Sequence, residues 1–229
     1  VDNHLLVLAK PAGMLSQGDE TGDEDLLTTG KRWVKHHFNK PGEAFLGLVH
    51  RLDRPASGLM VFARTSKAAK RLGKQFQSHS VKKLYLALVE GEPPDQATWE
   101  DYLLKKDRLS QVVASTHPKG KFARLTFRKL ASDRQTSLVS IALETGRAHQ
   151  IRLQFASRGF PLLGDLRYGA THTFDGRNLA LHAYHLGLNH PIGAKPMVWS
   201  LVPPSTWRTH FPQAVAALNL TKPPWEGSW

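Results

Sequence analysis

Lys82-Lys83-Leu84-Tyr85-Leu86-Ala87-Leu88-Val89-Glu90 sets Leu84, Leu86 and Leu88 on one side of an extended chain and Tyr85, Ala87 and Val89 on the other. That period of two is a β-strand's, and its apolar character toward both sides places it deep in a sheet. Beyond it the Pro-rich stretch 91–97 is where a linker would fall, yet strand-like segments continue at 99–104, 111–115, 124–130 and 136–144. Before it, 4–10 reads as a buried strand stopped by Pro11-Ala12-Gly13, and 58–63 as another; strands are also expected near 179–188 and 197–202. Three helices are expected among them. The first carries Leu26, Leu27, Trp33, Val34 and Phe38 on its apolar stripe; the second runs from a Ser66 cap to about Ser80 with Ala69, Leu72 and Phe76 inward; the third covers 147–157. Strands in succession, without an alternating βα rhythm, define an α+β chain with a mainly antiparallel sheet and flanking helices.

Composition narrows the function. At 229 residues and 41% hydrophobic content the chain can bury an ordinary core, and it is read as a single domain, 1–229. Lys and Arg exceed Asp and Glu by 31 to 19, a net charge of +12 that favours a polyanionic partner, nucleic acid above all. With no cysteine, disulfides and thiolate metal sites are excluded. No apolar run is long enough for a membrane span and no signal peptide is evident, so the expected location is cytoplasmic, without membrane partners. The twelve histidines show no metal-ligand spacing, and no metal is expected. Phosphate-loop, dinucleotide and serine-hydrolase fingerprints are also missing. Val1 is not a start methionine, so residues upstream, including an RNA-binding domain, are possible in the full-length protein; a monomer is the default oligomeric state.

Two constellations carry chemistry. In His50-Arg51-Leu52-Asp53-Arg54-Pro55-Ala56-Ser57-Gly58 one carboxylate sits between two arginines, which would hold it ionised beside a strand. In Thr145-Gly146-Arg147-Ala148-His149-Gln150-Ile151-Arg152 a strand turns into a helix on which Ala148, Ile151 and Phe155 share a face bordered by Arg152. A guanidinium there needs an acid partner, and Asp53 is the candidate. Arg147 and His149 fall where a helix start attracts phosphate.

Together these motifs resemble the pseudouridine synthases of the RluA family. The resemblance is carried in order by Lys10-Pro11-Ala12-Gly13, by His50-Arg51-Leu52-Asp53 with Ser57-Gly58, by the Lys83 to Gly91 tyrosine motif, by Gly146 to Arg152, and by the late leucine-histidine-alanine element over 179–183. Ala56 departs from the family's usual threonine. The resemblance implies a mixed, mainly antiparallel sheet with an active-site cleft across it, and isomerisation of a uridine in rRNA or tRNA without any cofactor. It implies Asp53 as the catalytic carboxylate and Arg152 as its partner. Tyr85 would stack on the uracil and assist late loss of the C5 proton, Leu181 would pack on the base, and Arg51 would fill the place the flipped base leaves. Arg147, His149 and Gln150 join the substrate-binding set. A noncatalytic RNA-binding or ribosome-assembly protein keeping this fold is the alternative. A glycosidase-like enzyme is disfavoured because no second acid of comparable context stands out.

Overall fold

The computed structural model describes residues 1–107, 109–176 and 178–218. Ten strands among them form one sheet. In chain order the elements are β1 (Leu5–Lys10), α1 (Leu26–His37), β2 (Gly47–Leu48), β3 (Ser57–Ala63), α2 (Ser66–Gln77), β4 (Lys82–Glu90), β5 (Gln96–Lys106), β6 (Leu109–Val113), β7 (Lys121–Ser132), β8 (Thr136–Leu143), α3 (Gln150–Ala156), β9 (Leu181–Asn189), β10 (Pro196–Ser200) and α4 (Pro212–Ala216). Short 3-10 turns lie at Leu166–Tyr168 and Ser205–Thr209.

The sheet runs β1-β3-β9-β4-β8-β7-β5-β6, with β10 on β9 and β2 on β3. Every pairing is antiparallel except the short parallel contact of Ser57 and Gly58 with His182 and Ala183, so the sheet is mixed and mainly antiparallel as expected. Strand alternation sorts the core: Tyr85, Ala87 and Val89 join Phe127, Ile141, Ile151 and Phe155 on one face, while Leu84, Leu86 and Leu88 join Phe174, Tyr184 and Trp207 on the other. A third cluster packs α2, through Ala68 and Leu72, against Leu59, Val61 and Ala63 of β3. Burial on both faces is why β4 is apolar from Leu84 to Val89.

Several local expectations are corrected. The stretch 91–97 joins two strands of one sheet rather than two domains: Gly91 donates to the Gln135 carbonyl, and β5 begins at Gln96, which pairs with Arg128. The second helix is capped by Thr65, whose hydroxyl accepts from the Ala68 amide, and Ala68 rather than Ala69 is its buried alanine. On α1, Trp33 and Phe38 lie at the surface around His37, whereas Gly30 is buried because a Cβ there would meet Leu46 at 2.8 Å. The third helix starts at Gln150, since His149 adopts a left-handed conformation at φ +55°, which leaves Ala148 exposed and off the helix. Among the described residues no helix is long and apolar enough to cross a membrane.

Candidate active site

Asp53 sits in the turn before β3, which contacts from Ser16 and Lys10 fix. Ser16 Oγ donates to the Leu52 carbonyl at 2.7 Å and accepts from the Leu52 amide at 3.1 Å. Lys10 Nζ, almost fully buried, donates to the carbonyls of Met14 at 2.7 Å and of Pro11 and Arg54 at 3.0 Å. Burial brings the Lys10 ammonium down to about 8, opposed by the nearby Asp53 charge and reinforced by Arg54. After the turn, Gly58 at φ +128° lets β3 approach β9 so closely that a Cβ would meet Ala183 N and O at 2.4 Å.

The expected pairing of Asp53 with its sequence neighbours is not what forms. Arg54 turns away, donating to Asp23 at 2.6 Å and to the Gly13 carbonyl at 3.0 Å, and Arg51 is exposed. The partner is Arg152, whose Nη1 donates to Asp53 Oδ2 at 3.0 Å. Arg152 is only 5% exposed and does not reach solvent along its stem. A second acid, absent from the sequence reading, holds its other edge: Asp165 accepts from Nε at 2.6 Å and from Nη2 at 2.8 Å. Burial works against the Arg152 charge, but the two carboxylates outweigh it and raise its pKa. Asp165 follows Gly164, which at φ +83° lies where a Cβ would meet the Asn178 carbonyl at 2.3 Å; the glycine in a loop was the available signal.

A cleft of about 820 Å³ opens over this pair and brings all the expected site residues together: Arg51, Asp53, Tyr85, Arg147, His149, Gln150, Arg152 and Leu181 line it. Tyr85 is buried, and burial first and the Asp53 charge second push its phenol above the usual range. Leu181 is 6% exposed on the neighbouring strand. His149 stands 3.9 Å from Asp53 through Nε2 and 2.8 Å from the Tyr168 hydroxyl through Nδ1; burial lowers its pKa despite Asp53. Tyr168 also accepts from the Ser110 amide at 2.8 Å, tying the β5–β6 hairpin to the cleft. The Gln150 amide is spent on the fold, accepting from Thr145 Oγ1 and the Arg147 amide and donating to the Arg124 carbonyl and Gln154.

The profile of the RNA pseudouridylate synthase family matches residues 4–157, well over half the chain. The chain belongs to that family, as the motif resemblance implied. It is 36% identical over 207 residues to ribosomal large subunit pseudouridine synthase D of Zymomonas mobilis, covering 85% of this chain and 65% of that protein. An uncharacterised RNA pseudouridine synthase of Bacillus subtilis is 36% identical over 194 residues, covering 83% and 63% respectively. The chain therefore spans just under two thirds of the length of these relatives. In fold it is similar to human RNA pseudouridylate synthase domain containing 4, with a TM-score of 0.76 at 22% identity over 90% of this chain and 87% of that one.

Proposed function

We propose that this chain is the catalytic domain of an RNA pseudouridine synthase, isomerising a uridine of ribosomal or transfer RNA in the cleft over Asp53. The observation that carries the reading is the Asp53–Arg152–Asp165 chain: a partly exposed carboxylate with Oδ2 held at 3.0 Å by a guanidinium that a buried acid fixes from behind. Family membership and the names of the relatives support it.

In the reaction the bond between C1′ and N1 breaks, the uracil turns, and a bond forms between C1′ and C5. The C5 proton leaves and N1 gains one, so mass is unchanged and no cofactor is called for. Asp53 is the group that attacks or relays protons. Arg152 keeps it oriented. Tyr85 and Leu181 would sandwich the base, and because the Tyr85 phenol is held neutral, stacking is its main task. His149, also kept neutral, would present an uncharged edge to the base or ribose. Gln150 acts by positioning the turn that carries Arg147. The target nucleotide leaves its stack at a cost of a few kcal/mol, and exposed Arg51 would occupy the vacated place.

The test is to incubate wild-type and Asp53→Asn protein with transfer RNA and ribosomal RNA fragments and to map pseudouridine by carbodiimide-dependent reverse-transcription stops. New stops with wild type alone are expected. Substantial activity in Asp53→Asn, while RNA affinity stays within a few fold, would remove Asp53 from the chemistry.

A further inference from the structure

Lys83 has no task in the scheme above, yet it points into the same cleft. It stands on β4 two residues before Tyr85 and so on the same side of the strand. Its Nζ lies 3.4 Å from the Thr145 carbonyl, beyond the usual range for a good N–H···O bond, and a Cβ on Gly146 would come within 3.6 Å of it. The turn that passes over this ammonium delivers Arg147, anchored by its Nε on the Phe122 carbonyl at 2.8 Å, which leaves its two terminal nitrogens for a ligand. Among the described residues no carboxylate pairs with either cation. Burial, with Arg147 adding to it, brings the Lys83 ammonium down to about 8, so an anion arriving there would relieve an existing cost.

Two cations brought together at a cleft wall without an acid are a receptor for an anion, and a point charge beside a planar fork suits phosphate oxygens. Arg54, by contrast, is neutralised by Asp23, and Arg124 by Glu100 and Glu144. We propose that Lys83 and Arg147 form a phosphate subsite that grips one phosphodiester beside the uridine held over Asp53; this rests on the reading that the cleft receives RNA. The subsite is sequence-blind and sets how the strand lies relative to the base.

Binding of a short labelled oligouridylate, followed by fluorescence anisotropy through a potassium chloride series, tests it without any readout of isomerisation. Against wild type, the double variant K83Q/R147Q is expected to flatten the slope of log affinity on log salt by about 0.7, one phosphate on a single strand. K83Q alone should weaken binding about three- to tenfold, whereas K83R, which keeps the charge, should stay near wild type. Unchanged slope and affinity in the double variant would overturn the subsite and leave the enzymatic reading standing. Failure of wild type itself to bind the oligouridylate even at low salt would overturn both. If K83Q also melts early, an oligouridylate with a single neutral methylphosphonate linkage decides the matter on wild type and K83R. Scanned along the strand, one position should lose affinity and flatten the slope, and an indifferent scan sinks the proposal.

Discussion

Arg152 is shared by two carboxylates, and the division of its nitrogens defines the site. Asp165 takes Nε and Nη2 while Asp53 takes Nη1, so the buried acid aims the guanidinium and the open one is aimed by it. Asp165 is therefore a positioning residue, and Asp165→Asn should cost about 3 kcal/mol of stability by leaving a buried guanidinium half neutralised. Turnover should fall about ten- to a hundredfold with substrate affinity little changed, since only the orientation of Asp53 is lost. Thermal melts and single-turnover rates on the RNA found by mapping check both; wild-type rates would show that Arg152 is aimed by something else. Asp53 and Arg152 were legible because each sits in a dense polar motif and because an arginine bordering an apolar face demands an acid. Asp165 was not, since a lone acid in a glycine-containing loop reads like any solvated turn, and nothing local tells which distant cation it meets. The misassignment of Arg51 and Arg54 has the same origin: neighbours in sequence looked like neighbours in space, while Arg54 was drawn to Asp23 across the N-terminal loop.

Among the elements, the parallel contact between β3 and β9 is a close joint. Its geometry excludes any side chain at position 58, so Gly58→Ala should destabilise by about 3 kcal/mol or more, combining a backbone collision with an unfavourable φ. Urea unfolding of the variant measures this, and a loss under about 1 kcal/mol would mean the strands can part at little cost. Strands were the easiest elements to read, since alternation in β4 and the apolar runs of β1 and β3 record burial directly. Helix edges were harder. Nothing in Arg147-Ala148-His149 announces a left-handed residue, so α3 seemed to begin three residues early. The pairing order was not readable either, because β9 lies between β3 and β4 through contacts about a hundred residues apart in the chain.

Over the whole molecule, the imidazoles of His50 and His182 make the fold sensitive to acid. His182 Nε2 donates to the Leu201 carbonyl at 3.1 Å and its Nδ1 accepts from Ser57 Oγ at 2.8 Å, while His50 Nε2 accepts from the Val61 amide at 3.0 Å. Burial brings His182 down to about 4 and His50 to about 3, the latter helped by Lys83. Between these values and the unfolded value near 6.5 the unfolded chain binds more protons, so stability falls as pH falls. From pH 7 to pH 5 each histidine should remove about 2 kcal/mol. Urea melts at the two pH values should show the loss, and His182→Gln should reduce it; an equal loss in that variant would clear His182 of the effect.

The place of β9 also sets an order in time. Residues 57–63 and 82–90 leave the ribosome long before 181–189, yet the later strand must end up seated between them. The sheet therefore closes only when the late strand is seated, and contacts of such long range close slowly. Asp53 precedes β3 and Tyr85 stands on β4, so the cleft that both line with Leu181 is complete only once β9 is in place. The order of synthesis thus fixes when the walls of the cleft first face each other.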